Sequence, residues 1–230
     1  MQPMRIIDGH EVFTETEELV DPAHTALVVI DPQNDFCAEG GIFARSGKDM
    51  RAFPAAIAAC ARLVDAARAA GVRVIFIQNQ KLPDGRSTSP AWLRFMAIRN
   101  ALTEEPEICL EGSWGAEFVP ELQPAGADIV VRKWRSSAFV GTNLDMILRV
   151  NRIRTVVCCG FVTQGCVEST ARDAGFYDYY PVVVEDAVAT HDPALHAASL
   201  TVQRSRYDVM PSAAILPLWE AKAPQYARRG

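Results

Sequence analysis

Five short, nearly unbroken apolar runs recur along the chain, each followed by a stretch of helical periodicity: residues 25–30, 72–77, 128–131, 155–159 and 181–184. A strand that is apolar at every position is covered on both faces, as in a parallel sheet flanked by helices. Between the runs, residues 54–70 place Ile57, Cys60, Leu63, Val64 and Ala67 on one helical stripe, with Gly71 positioned to end it. Residues 91–101, 164–175 and 193–205 read as further helices, and Thr142-Asn143-Leu144-Asp145 as a capping box with Asp in place of Glu. Residues 207–210 supply a sixth strand at an edge, followed by a last helix near 213–221. The expected fold is α/β: a three-layer sandwich around a doubly wound, mostly parallel six-stranded sheet. Residues 1–24 read as an N-terminal arm, 25–222 as a single domain and 223–230 as a C-terminal tail.

A chain of 230 residues is long enough for one sizeable core. Its net charge of −5, without any Lys/Arg block, argues against a nucleic-acid surface. No apolar stretch approaches the ~18–20 residues of a membrane span, and Met1-Gln2-Pro3-Met4-Arg5 is followed by no apolar signal core. The six cysteines include the adjacent pair Cys158-Cys159 and no C-x-x-C spacing, so reduced thiols and a cytoplasmic location are expected.

In a parallel sheet the C-terminal ends of the strands share one edge. Asp31 follows the first apolar run, Lys133 ends Ile129-Val130-Val131-Arg132-Lys133, and Cys166 lies after the fourth run, near the N-terminus of the helix that follows it. A carboxylate, an ammonium and a thiol can therefore meet in one crevice. Each also has a plainer reading. Asp31-Pro32-Gln33-Asn34 suits a turn, most lysines are solvated surface charges, and a buried cysteine is often structural, as Cys158 and Cys159 read here. Cys166 is the strongest signal, because a helix N-terminus and a nearby ammonium favour a thiolate. None of His10, His24, His191 and His196 follows one of the first four strands, so no Cys-His dyad is indicated. His191 follows the fifth strand and reads as a surface or capping residue, with pocket lining as the alternative. There is no His-Glu-x-x-His cluster, Gly-x-Gly-x-x-Gly or P-loop, so neither a metal nor a nucleotide cofactor is expected.

Three segments together carry a resemblance: Val28 to Phe36 (VVIDPQNDF), Val131-Arg132-Lys133 with Ser137-Ala138-Phe139, and Gly160 to Thr170 (GFVTQGCVEST). In this order and spacing they are similar to the isochorismatase-like cysteine hydrolase family. Gly112-Ser113-Trp114-Gly115 with Phe118 to Leu122 looks most like its ureidoacrylate amidohydrolases, and next like its N-carbamoylsarcosine amidases and biuret hydrolases. The family's metal-dependent nicotinamidases carry histidines where this chain has Ile77-Gln78-Asn79-Gln80-Lys81, so the resemblance implies no metal. Its true isochorismatases lack the cysteine that is present here.

The resemblance implies a mechanism. Asp31 takes the thiol proton, Cys166 attacks an amide or ureide carbonyl, and Lys133 stabilises the thiolate and orients Asp31. The N–H groups of Val162 and Cys166 form an oxyanion hole beside a cis peptide at Phe161–Val162. Ammonia leaves, and water cleaves the thioester. Phe36, Asn79, Gln80, Trp114, Trp134, Phe139 and Arg206 are candidate pocket residues. The implied partner is a small ureide or amide, and the implied assembly a homodimer or homotetramer. Two alternatives stay open: an amidase or lactamase on an unrelated amide, and a non-catalytic small-molecule binder on the same fold.

Overall fold

Alternate residues of each central strand go to opposite faces, and both faces are buried. In the computed structural model, which describes residues 5–96 and 107–226, Leu27, Val29, Phe76, Val157, Cys159, Val182 and Val184 enter one core. Ala26, Val28, Ile30, Ile75, Ile77, Val156, Cys158 and Val183 enter the other. Strands of this kind are stable only between two helical layers, which is why they lack polar alternation.

The chain begins with a hairpin, β1 (Arg5–Ile7) and β2 (His10–Val12), and a single turn α1 (Thr16–Leu19). There follow β3 (Thr25–Ile30), α2 (Asn34–Cys37), α3 (Ile42–Arg45), α4 (Phe53–Ala70), β4 (Arg73–Asn79), α5 (Pro90–Met96) and β5 (Ile129–Lys133). The second half holds α6 (Leu144–Val150), β6 (Thr155–Phe161), α7 (Glu168–Phe176), β7 (Tyr180–Ala189), α8 (Pro193–Arg204), β8 (Asp208–Met210) and α9 (Leu216–Tyr226). The sheet has six strands in the order β5-β4-β3-β6-β7-β8, with every neighbouring pair parallel. From β3 the chain winds outward to β5, then returns beside β3 and winds the other way to β8. Strand order thus reverses between β3 and β6, and such a switch opens a crevice at the strands' C-terminal ends.

Helix α4 follows its sequence logic closely. A proline lies in its first turn, Cys60, Leu63, Val64 and Ala67 are buried, and Gly71 closes it at φ 76°. That left-handed conformation costs a glycine nothing sterically. α9 packs against α4, and the buried Trp219 indole of α9 donates to the Val20 carbonyl at 2.8 Å, tying the last helix to the lead-in.

Four expectations need revision. β7 runs to Ala189, not Val184: register with β6 shifts between Cys158 and Gly160 and pairing resumes at Val188. Glu185 and Asp186 interrupt the apolar run because they lie in this irregularity, where Asp186 accepts from the Ser212 N–H and hydroxyl at 2.7 and 2.6 Å. Thr142 to Asp145 does not form a reciprocal capping box: the Thr142 hydroxyl accepts from Leu144 N–H, while the Asp145 carboxylate turns to the Tyr179 hydroxyl. The helix expected over 164–175 begins as a π-helical turn, Thr163–Val167, before α7. The last helix starts later than expected, at Leu216, and reaches Tyr226, into the stretch read as a tail. The helix read over 91–101 is seen as α5 up to Met96, and its remainder lies outside the described residues.

Gly160 is the tightest point of the sheet. It pairs with Ile30, has φ +115°, and a Cβ there would fall 2.1 Å from the Ile30 carbonyl oxygen. Neither backbone can yield without displacing the end of β3. Gly160→Ala is therefore expected to lower unfolding stability by about 2–4 kcal/mol, combining overpacking with backbone strain. A urea titration checks this. A loss below about 1 kcal/mol at unchanged m-value would show that the two strands can move apart.

Candidate active site

Three strand ends deliver the three residues. Asp31 directly follows β3 at φ 50°, and its N–H donates to the Ile77 carbonyl of β4 at 3.1 Å. Lys133 is the last residue of β5, and Cys166 lies in the π-helical turn after β6. Lys133 Nζ is 2.8 Å from Asp31 Oδ2 and donates to Cys166 Sγ at 3.1 Å and to the Arg135 carbonyl at 3.1 Å. Asp31 and Lys133 are fully buried and Cys166 is partly so. The ammonium thus bridges carboxylate and thiol: it is ion-paired with Asp31 and donates hydrogen bonds to the Cys166 sulfur and the Arg135 carbonyl, while among the described residues both buried Asp31 oxygens lack a hydrogen-bond partner.

Burial dominates the protonation states. It raises the Asp31 pKa above the usual carboxylate value, against the opposing pull of Lys133. A carboxylate so weakened as an acid is a better proton acceptor. Burial disfavours the Lys133 charge, but Asp31 and the Cys166 sulfur outweigh it, so its pKa is raised and it stays an ammonium. The Cys166 thiol is pushed up to about 12, first by burial and then by the Asp31 charge, with Lys133 opposing. At neutral pH the resting sulfur is therefore a thiol, because Asp31 and desolvation outweigh the ammonium and the helix start that favour a thiolate.

The loop geometry around the triad comes from buried polar groups. Gln33 is fully buried; its side-chain NH2 donates to the carbonyls of Asn79 and Ala116, both at 2.8 Å, and its oxygen accepts from Asn79 N–H at 2.7 Å. It bolts the β3 exit to the end of β4 and to the turn at 114–116. The Asp35 carboxylate accepts from the N–H groups of Cys109 and Ile42, and Gly115 passes so close that a Cβ would overlap it. The π-helical turn is held from α8: Thr163 Oγ1 meets His196 Nδ1 at 2.9 Å, and Ser199 Oγ donates to Glu168 at 2.5 Å. Within the turn, the Val162 carbonyl accepts from Gly165 and Val167, and neither bond uses the Cys166 N–H. The Phe161–Val162 peptide is cis.

The candidate pocket residues divide. Gln80 is buried, with its N–H on the Lys133 carbonyl and its side-chain oxygen without a partner. Asn79 ends β4 on the Gln33 bolt. Phe36 sits on α2 against Phe43, ring centroids 5.1 Å apart. Trp114 is half exposed beside Gly40, and the Trp134 indole nitrogen is buried without a partner. Two residues are misplaced by sequence reasoning. Phe139 is buried in the second core, stacked on Tyr177 beyond the C-terminal end of α7, whereas Cys166 precedes that helix. Arg206 is exposed in the turn leading into β8, at the edge where strands begin, opposite the triad. Helix α8 carries the chain back across the sheet before Arg206, so residues preceding a parallel strand cannot reach its neighbours' C-terminal ends. Sequence reasoning also passes over Gln33, Asp35, Thr163, His196 and Ser199. Gln33 and Asp35 lie inside the motif that begins at Asp31, but polar residues after Pro32 look like ordinary turn formers.

A carboxylate, an ammonium and a thiol in contact at the switch point of a parallel sheet make a site suited to hydrolysis through sulfur. The isochorismatase domain model matches residues 25–213. Ureidoacrylate amidohydrolase RutB of Yersinia enterocolitica is 40% identical over 177 residues, covering 74% of this chain and 76% of that protein. A cysteine hydrolase from Pseudomonas syringae pv. phaseolicola 1448A superposes with TM-score 0.75 at 26% identity, over 89% of this chain and 96% of that one. N-carbamoylsarcosine amidase from Thermoplasma acidophilum superposes with TM-score 0.64 at 31% identity, over 82% and 96%. The chain belongs to the isochorismatase family and is a hydrolase of its amidohydrolase kind.

Proposed function

We propose that this enzyme hydrolyses a C–N bond of a small carboxylated ureide of the ureidoacrylate type, through a covalent intermediate on Cys166 and with release of ammonia. The observation that carries the reading is the shared ammonium: Lys133 Nζ touches both Asp31 Oδ2 and Cys166 Sγ. The resemblance to ureidoacrylate amidohydrolases supports the substrate class.

Because the resting sulfur is protonated, proton removal and attack belong together. Asp31 takes the thiol proton as sulfur bonds to the ureide carbon, and the charge developing on sulfur is met by the Lys133 ammonium already in contact. The carbonyl oxygen becomes an oxyanion, for which the N–H groups of Val162 and Cys166 are the donors we assign. On collapse the C–N bond breaks, and Asp31 returns its proton to the departing nitrogen. Ammonia leaves an S-carbamoyl form of the thioester. Water then attacks the same carbon, Asp31 takes its proton, the C–S bond breaks and the proton returns to sulfur, with a carbamate as product. No step calls on a metal. Asn79, Gln80, Trp114 and Phe36 are the wall we assign to the substrate, with the partnerless Gln80 oxygen suited to a ureide N–H.

We further place the enzyme in the cytoplasm as a homo-oligomer. Six free cysteines agree with a reducing compartment. Exposed Met146 and Val150 on α6 and Phe176 on α7 offer an apolar patch for a second copy. Among the described residues, no helix is long and apolar enough to cross a membrane.

Ammonia release from ureidoacrylate-type acids, biuret, carbamoyl amino acids, nicotinamide, aryl amides and lactams tests the substrate reading. Ureido acids are expected to lead nicotinamide and aryl amides by well over tenfold in kcat/KM, a difference above ~1.4 kcal/mol in transition-state binding. Faster turnover of lactams or aromatic amides than of every ureide would remove the substrate assignment and leave only the thiol chemistry.

A further inference from the structure

We propose that Lys48 and His191 form a carboxylate-binding subsite at the rim of the crevice, which holds the acidic end of the substrate while Cys166 works on the ureide end. The proposal rests on the ureide reading above and adds the residues that would select for an acid.

The two groups meet from distant parts of the chain. Lys48 Nζ lies 3.2 Å from His191 Nε2, and both side chains are partly buried. An ammonium can only donate, so Nε2 accepts and the ring proton belongs on Nδ1. That Nδ1 is buried and has no partner, and the hydroxyl of the preceding Thr190 is also buried without one. Lys48 thus keeps ammonium donors to spare, beside a His191 Nδ1 and a Thr190 hydroxyl that have no partner among the described residues.

The neighbouring acids are already engaged. Asp49 pairs with Arg51 at 2.6 Å, and Asp192 caps α8 through the N–H groups of Ala194 and Leu195. Lys48 makes no ion pair with an acid among the described residues. Burial lowers the Lys48 pKa, and burial followed by the Lys48 charge lowers that of His191. Lys48 thus holds its charge against partial desolvation with no acid paired to it, a cost that a bound carboxylate would offset, while for His191 only the Asp192 charge opposes the lowering.

The position suits the reaction. Ala189, at the end of β7, pairs with Phe161, the residue before the cis peptide, so His191 lies two residues beyond the strand end next to β6. The Phe43 ring makes edge contacts with His191 and with Phe36, both at 5.1 Å, and Lys48 Nζ stands 5.1 Å from the Phe43 centroid. Phe36 lies on α2, the short helix in the segment that begins at Asp31. A continuous series of contacts thus links the cationic pair to α2, just after Asp31. In the proposed arrangement the substrate's carboxylate is held by this pair and its ureide end lies at Cys166.

Two measurements decide the matter. Ammonia release from 3-ureidoacrylate and from its neutral methyl ester is compared in wild type and Lys48→Met. The wild type is expected to prefer the acid, and the preference should fall at least fivefold in the variant; a smaller fall overturns the subsite. If the wild type releases ammonia from neither ureide, the proposed function fails, and the subsite is then judged without turnover. For that, propionate is titrated against the protein while the His191 imidazole resonances are followed by NMR. A saturable shift in wild type that is lost in Lys48→Met supports the subsite. No shift in wild type, or the same shift in the variant, overturns it.

Discussion

Cys166→Ala is expected to reduce turnover by at least three orders of magnitude while leaving the fold intact. The rate loss follows from removing the nucleophile of a covalent route, which in comparable hydrolases costs far more than any single binding contact. The fold should survive because the sulfur is not what neutralises the buried charges. Lys133 keeps Asp31 at 2.8 Å and the Arg135 carbonyl at 3.1 Å after the sulfur is gone. Cys166 packs at the margin of the second core rather than inside it, so truncation opens little cavity. A stability change within about 1 kcal/mol is expected. Circular dichroism melts and ammonia-release rates together test this. A folded alanine variant that keeps more than about a hundredth of the wild-type rate would show that covalent catalysis by Cys166 is wrong.

Lys133→Met should be damaging in a different way, because it harms both rate and stability. Both partners of the pair are fully buried. Removing the ammonium leaves the Asp31 carboxylate in a dry site without a counter-charge, and breaking such a pair typically costs about 3–5 kcal/mol. Asp31 would then hold a proton at neutral pH and could no longer accept one from the thiol, so a rate loss of about a thousandfold or more is expected. The sharper test adds Asp31→Asn. The single Asp31→Asn variant strands the ammonium, whereas the double variant has no buried charge left. Its stability loss should therefore be at least 2 kcal/mol smaller than the sum of the singles, in keeping with strong coupling between contacting groups. Rate losses should also fail to add, since the three residues act as one unit. Additive losses in both stability and rate would mean that Asp31 and Lys133 act independently.

The triad was within reach of the sequence because parallel strands impose a strict geometry. Any residue just past the C-terminal end of one strand lies near those past the ends of its neighbours, and Asp31, Lys133 and Cys166 hold such positions on β3, β5 and β6. The same rule, applied to Arg206, would have excluded it: a residue entering β8 belongs to the opposite edge. Phe139 was harder to place. Its side chain has no periodic strand or helix to set its direction, and its burial against Tyr177 and Tyr179 depends on α7 and on the residues that follow it.

What the sequence by itself determined is the layered α/β architecture and the edge of the sheet where chemistry gathers. Both follow from local patterns: runs buried on two faces, helical stripes between them, and polar residues at strand ends. The tertiary structure alone decided the charge state of the thiol, the bulged extension of β7, the Gln33 and Asp35 fastenings and the meeting of Lys48 with His191. Each of these depends on how far a group is taken from water and on which distant group it then faces. The balance of forces on the Cys166 thiol is the plainest case. Sequence puts an ammonium and a helix start beside the sulfur, but only packing sets the desolvation and the Asp31 contact that outweigh them.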